Sequence, residues 1–268
     1  MNQTIKVLAI NIEAGVNNSR GYFGYITTIF KNFFPHSNES LSKLAEYVKA
    51  ENIDVVALTE IDGGSFRTKH ISQLKILSNL TGLENNSFNP TYTFWKIINQ
   101  GDGLLSRFPE HNREYYKLFS KHPRYLEFAT TDIEGKHINI IVTHLSLGHK
   151  VRIKELKQIA SVLSHFDTPK ILMGDFNTEN SEELDILMQA GLTPVHNNNT
   201  FPSWKPKKSI DHIFVSKEFE VVNKYVCPLQ ISDHLGIVAE LKLMNNPEKK
   251  IIVKKNNSKK RKNYSKKK

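Results

Sequence analysis

A single cysteine, Cys227, stands in the 268 residues. That excludes an intramolecular disulfide framework and a cysteine-rich zinc site. No apolar run is long enough to span a bilayer. Met1-Asn2-Gln3-Thr4 leads straight into Ile5–Ile10, without the basic region, long apolar segment or small-residue cleavage site of a secretory leader. These absences predict a soluble, cytoplasmic protein in which triplets such as Asn38-Glu39-Ser40 carry no glycan. A net excess of charge of one sign is also missing from most of the chain. Residues 245–268 carry eleven Lys/Arg against one acid, Glu248, and residues 1–244 are left with 26 bases and 26 acids. The net charge of +10 therefore belongs to the tail.

The chain has a hydrophobic content of 39%, enough for a packed core. Two parts follow: a folded domain over 1–244, and a lysine-rich tail over 245–268 with too few apolar residues to bury, which predicts disorder. Such a tail suits polyanions, either nucleic acid or an anionic membrane surface, or it is simply solvated.

Along the domain, near-continuous apolar runs alternate with helical periodicity. Ile5–Ile12, Asp54–Thr59, Lys170–Gly174, Ser209–Val215 and Ile237–Leu243 read as buried strands. Leu126–Asp132 and His137–Thr143 flank Ile133-Glu134-Gly135-Lys136, a hairpin signal. Asp102–Pro109 reads as a short strand stopped by proline. Helices are expected over about 41–51, capped by Asn38 or Ser40, over 71–80 closed by Gly82, over 151–163 and over 182–189. Residues 15–38 mix six aromatics with Gly and Asn and read as a partly helical excursion. Strand–helix–strand units recur without a fixed repeat, which points to mixed sheets with helices outside.

The strand ends carry chemistry. Gly174-Asp175-Phe176-Asn177 closes an apolar strand with a carboxylate and an amide, and its glycine permits close backbone approach. Other strand ends deliver Asn11, Glu13, Glu60, His144, Asp211, Asp233 and His234. Singly, each has a structural explanation, as an Asx turn, a helix cap or a satisfied histidine. Together, carboxylates and an amide oxygen suit a hard divalent ion, Mg²⁺ or Mn²⁺. Two histidines add groups that titrate near neutrality. Such a set fits metal-assisted hydrolysis of a phosphate ester.

The ordered series Ala9-Ile10-Asn11-Ile12-Glu13, Leu58-Thr59-Glu60-Ile61, Leu104-Leu105-Ser106-Arg107-Phe108-Pro109, Thr143-His144-Leu145, Gly174-Asp175-Phe176-Asn177, Ile210-Asp211-His212-Ile213 and Ser232-Asp233-His234 resembles the endonuclease/exonuclease/phosphatase superfamily. His144 resembles the deoxyribonuclease, sphingomyelinase and phosphatase branches, and the chain as a whole looks like bacterial-type members. The resemblance implies a four-layer α/β sandwich, two packed mixed sheets flanked by helices. It implies that Glu60, with Asn11 and Glu13, holds the cation, and that Asp233 assists. It implies that Asp175 orients or deprotonates water, that Asn177 contacts the phosphate, that Asp211 braces His234, and that His144 and His234 act in hydrogen bonding or acid–base steps.

Substrate contacts are expected from Trp204, in the aromatic and basic stretch before Asp211, from Arg107, and from Arg152 on the helix after His144. The expected activity is Mg²⁺-dependent phosphodiester hydrolysis, with nucleic acid as substrate. The alternatives are a phospholipid or phosphoinositide substrate, or a binding protein that kept the fold and lost turnover.

Overall fold

The computed structural model describes residues 4–15, 37–195 and 198–244. The aromatic excursion, apart from its two ends, and the basic tail lie outside the described residues. In chain order, β1 (Thr4–Asn11) leads to α1 (Glu39–Ala50) and β2 (Val55–Asp62), then α2 (Gln73–Thr81), β3 (Asn85–Phe94) and β4 (Ile98–Ser106). Next come β5 (Glu110–Lys117), β6 (Tyr125–Ile133), β7 (Lys136–His144), α3 (His149–Leu163), β8 (Lys170–Asp175) and α4 (Ser181–Gln189). The last strands are β9 (Leu192–Pro194), β10 (Asp211–Ser216), β11 (Phe219–Val226) and β12 (Ile237–Leu243).

The strands form two six-stranded sheets, ordered β11-β12-β1-β2-β4-β3 and β5-β6-β7-β8-β10-β9. Each has one parallel pair, β1 with β2 and β7 with β8, and antiparallel pairs elsewhere. The central strands read as unbroken apolar runs because both of their faces are covered. On β1, Ile5, Val7 and Ala9 enter a core shared with Ile140, Val142, Ile171 and Met173 of the other sheet. Leu8 and Ile10 point the other way, into a core with Leu41, Leu44 and Val48 of α1 and Leu74 and Leu77 of α2. A third core joins Leu156, Ile159 and Leu163 of α3 and Leu187 of α4 to Phe128, Ile141 and Phe214. The order is thus helix, sheet, sheet, helix: an α/β sandwich of two mixed sheets. Among the described residues, no helix is long and apolar enough to cross a membrane.

Local signals fix the joints. Glu134 and Gly135 both take positive φ, 52° and 74°, so the β6–β7 hairpin closes through a primed two-residue turn. Gly82 ends α2 at φ 76°. Asn180 caps α4 by accepting from the N–H groups of Glu182 and Glu183. Asn38 sits at the start of α1 but makes no side-chain cap bond, and Ser40 lies inside the helix. β3, β5, β9 and β11, absent from the sequence reading, are the four outer strands of the two sheets.

Candidate active site

The C-terminal ends of both parallel pairs meet at one end of the sandwich. β1 ends in Asn11 and pairs with Thr59 of β2, one residue before Glu60. β7 ends in His144, which stands beside Asp175 at the end of β8. Asp211 opens β10 directly opposite Asp175. Four strand ends thus carry the cluster before any loop contributes. Gly174 makes the β7–β8 approach feasible: a Cβ there would lie 1.9 Å from the Thr143 carbonyl oxygen.

Asp175 is the hub. Its Oδ2 accepts from Asn11 Nδ2 at 3.2 Å, and lies 3.6 Å from His144 Nε2 and 3.9 Å from His234 Nε2. Its Oδ1 accepts from the Asn177 backbone N–H at 2.8 Å. The two imidazoles therefore flank one carboxylate, each with a further carboxylate behind it. His234 Nδ1 lies 2.9 Å from Asp211 Oδ2, which also accepts from the Thr200 hydroxyl. His144 Nδ1 lies 3.6 Å from Asp102 Oδ1, just beyond hydrogen-bond length. Asp102 is buried, and its carboxylate has no hydrogen-bond partner among the described residues.

Burial pulls both histidines toward neutrality, but carboxylates outweigh it. For His144, burial and the Arg124 charge push the pKa down, while Asp102 and Asp175 push it up and prevail. For His234, burial is overcome by Asp211 and Asp175, with Asp233 adding, and its pKa stands well above the ordinary imidazole value.

Glu60 is placed by a break in register. Leu58 pairs with Gly103 and Ile61 with Gly101, so Thr59 and Glu60 together oppose Asp102 alone. Glu60 takes φ 58° within this bulge, and bulges re-aim side chains in this way. Its Oε2 accepts from Gln100 Nε2 at 2.8 Å, and its Oε1 is 4.0 Å from His144 Nε2. Gln100 is held in turn by Arg67, whose Nη2 donates to Gln100 Oε1 at 3.1 Å and whose Nε donates to buried Asp62 at 2.6 Å. Glu13, Ala14, Glu60 and Asn177 all hold positive φ here, 44°, 50°, 58° and 53°. Non-glycine residues in that region concentrate at functional sites.

The donor set fits a divalent cation. Glu60, Asp102, Asp175 and Asp211 make no ion pair with any lysine or arginine among the described residues. Oxygen donors whose negative charge is offset only by the two histidines suit a hard ion. Asp175, Asp211 and His234 offer ligand atoms within 4.8 Å of one another. In that trio, however, Asp211 and His234 Nδ1 are spent on each other. Glu60 could also hold such an ion, since its side chain is 30% exposed and its Oε1 makes no hydrogen bond.

The structure therefore brings Asn11, Glu60, His144, Asp175, Asn177, Asp211 and His234 together. Glu13 follows Asn11 and donates its backbone N–H to Asn11 Oδ1. Asp233 precedes His234 and is buried. Asn177 uses one amide N–H on the Leu145 carbonyl at 2.9 Å, which ties the turn after β8 to the turn after β7. Trp204 is half-buried on a loop tethered where the Ser203 N–H donates to the Asp233 carbonyl at 2.7 Å.

Two expected substrate residues are committed to other contacts. Arg107 follows β4 at the opposite end of the sheet, where its Nε lies 3.1 Å from Asp54 Oδ1. Asp54 accepts from the Lys6 N–H, and Lys6 is five residues before Asn11 on β1, which puts Arg107 about 15–20 Å from the site. Arg152 is a strut. Its Nε and Nη2 grip buried Glu183 at 2.7 and 2.9 Å, and its Nη1 donates to the Ser146 and Leu147 carbonyls. It fixes the loop after His144 and has few donors left for a substrate. Asp102 and Gln100 were missed. Their alternation on one face of β4 and the Gly101-Asp102-Gly103 setting were the available signal.

Two packed mixed sheets that hold carboxylates and imidazoles at one shared end define the phosphoesterase class of α/β sandwich. The chain matches the Endonuclease/Exonuclease/phosphatase family over residues 11–234, and it belongs to that family. Its fold is similar to an endonuclease/exonuclease/phosphatase from Beutenbergia cavernae, at 21% identity and TM-score 0.70, covering 90% of this chain and 72% of that one. It is also similar to a mannosyl-6-phosphatase from Bacteroides thetaiotaomicron, at 17% identity and TM-score 0.64, covering 88% and 99%. The human Nocturnin catalytic domain aligns at 19% identity and TM-score 0.66, covering 91% and 96%. Comparison with curated proteins finds no match.

Proposed function

We propose that the chain is a divalent-cation-dependent phosphodiester hydrolase acting on nucleic acid. The observation that supports this best is Asp175, one buried carboxylate with both histidine Nε2 atoms within 3.9 Å. In this reading Asp175 orients the attacking water and takes its proton. Asp211 holds His234 in the tautomer that presents Nε2 to the reacting phosphate, and His144 hydrogen-bonds the same group. Asn177 contacts the phosphate through its remaining amide N–H. Glu60 and Asn11 hold the cation, with Glu13 and Asp233 assisting. Mg²⁺ or Mn²⁺, when bound, neutralises phosphoryl charge and stabilises the leaving oxygen.

Exposed aromatics at the same end of the molecule support a substrate with stackable bases. Tyr92, Phe94 and Trp95, at the β3–β4 turn, are 51%, 43% and 87% exposed. The same turn gives a second reading, a phospholipid substrate met at a membrane interface. The test is a panel of plasmid DNA, single-stranded RNA and phospholipid vesicles with Mg²⁺ or Mn²⁺, beside the Asp175→Ala protein. Metal-dependent cleavage of DNA or RNA, lost in the variant, is the expected result. Lipid turnover alone would transfer the assignment to the second reading, and silence on every substrate would remove the hydrolase assignment.

A further inference from the structure

A cleft of about 510 Å³ opens beside Glu60 and His144, which line it. One wall is the β5–β6 connection, where Lys121, His122 and Arg124 all line the cleft. That wall is built rather than loose. The Leu118 N–H donates to the Arg124 carbonyl at 2.8 Å and closes the connection at its base. Ser120 Oγ meets Ser146 Oγ at 3.2 Å, and the Phe119 N–H donates to Gln158 of α3 at 2.8 Å. Ser146 is itself clamped by Glu155, through its N–H at 2.9 Å and its hydroxyl at 2.7 Å.

The wall is positive and uncompensated. Arg124 is half-buried, yet its guanidinium makes no ion pair or hydrogen bond among the described residues. A guanidinium taken partly out of water without a carboxylate partner is a poor structural investment and a good receptor for a planar or tetrahedral oxyanion. Lys121 and His122 are exposed on the same rim. Gly148 and Val151, at the start of α3, line the cleft too, and no side chain caps that helix. A helix N-terminus adds positive potential to what the side chains supply. The cleft thus carries both signs, with the Glu60 carboxylate and an unpaired arginine among the groups that line it.

We propose that Lys121, His122 and Arg124 form a subsite for a second phosphate group of the substrate, next to the one that reacts. This rests on the hydrolase reading and deepens it. Two sources share that chemistry: a terminal phosphomonoester, or the next phosphate along a nucleic-acid strand.

The test has a binding arm and a kinetic arm. In the binding arm, metal-free full-length protein in EDTA is titrated with inorganic phosphate and followed by ¹⁵N NMR. Without a cation the acidic end repels phosphate, so shifts are expected at residues 120–124 and 146–151. Arg124→Gln should weaken that binding at least fivefold, and Arg124→Lys should restore part of it. Equal affinity in Arg124→Gln, or shifts confined to other residues, would overturn the subsite. In the kinetic arm, dinucleotides with and without a 5′-phosphate and a longer unphosphorylated oligonucleotide are compared under Mg²⁺. Arg124→Gln should cut the preference for the second phosphate about tenfold, as a ratio of kcat/KM values. Preference for the phosphorylated dinucleotide identifies the monoester source, and preference for the longer strand identifies the backbone source. No turnover of any substrate by the wild type would sink the hydrolase reading, and the binding arm would still decide the subsite.

Discussion

His234 Nδ1 lies 2.9 Å from Asp211 Oδ2, and on the other side of the ring Nε2 lies 3.9 Å from Asp175. One carboxylate fixes the tautomer and the other sits where a water would be activated. Asp211→Asn keeps the volume and an acceptor for Thr200 but loses the charge that holds the ring. Its kcat should fall by about 10²–10⁴-fold, with the melting temperature close to wild type. A kcat within fivefold of wild type would show that Asp211 does not brace the histidine.

Gln100 should act on the cation through Glu60. Gln100→Leu removes the 2.8 Å bond to Glu60 Oε2 and leaves the bulge intact. The Mg²⁺ concentration for half-maximal activity should rise by about 10–100-fold, with kcat at saturating Mg²⁺ less affected. An unchanged Mg²⁺ titration would break the link between this network and the cation.

Glu127, on β6, lies 1% exposed between the sheets and accepts from the Ser87 hydroxyl, with Arg113 Nε 3.9 Å away. Burial raises its pKa from 4.5 to about 7. Ser87 and Arg113 oppose the rise, and Asp102 and Glu110 add to it. The folded state thus holds a proton that the unfolded state has released. The stability from neutral Glu127 is full below about pH 4.5 and is lost as pH rises through about 7. Glu127→Gln cannot ionise, so its stability relative to wild type should increase between pH 5 and pH 8, by roughly 3 kcal/mol at most. Denaturant unfolding at the two pH values measures this; a pH-independent difference would mean that Glu127 stays ionised in the fold.

Arg107→Ala should leave kcat/KM unchanged and cost about 1 kcal/mol or less, since Arg107 is 52% exposed. Asp54 keeps the Lys6 N–H at 2.8 Å. A raised KM would mean that substrate reaches the far end of the sheet.

The parts that were legible in the sequence are those buried on two faces. β1, β2, β8 and β12 announce themselves because most of both faces is packed in apolar cores, with half-buried Lys6, Glu60, Lys170, Glu240 and Lys242 as the exceptions. The outer strands give no such signal. β3 runs Asn85-Asn86-Ser87 and contains Pro90, and β5 is largely charged. An edge strand tolerates proline and resists unwanted pairing through charge. For the site, the strand-end residues stood out because a polar group after an apolar run is visible in one dimension. Asp102 was hidden because its partner, His144, is brought to it only by the packing of one sheet on the other. Arg107 misled because a basic side chain in the Leu104–Pro109 run does not reveal which end of β4 it occupies.

The division of the cluster between the sheets has a last consequence. Asn11, Glu60 and Asp102 belong to one sheet, and His144, Asp175 and Asp211 to the other. The first sheet is finished only by β12, near the end of the domain, with His234 just ahead of it. The cluster is therefore a seam that exists only once the late strands have docked onto the early ones. A phosphate gripped between a cation on the Glu60 side and the His144 side would fasten the two halves of the sandwich, so resistance to unfolding would rise most when metal and phosphate are added together.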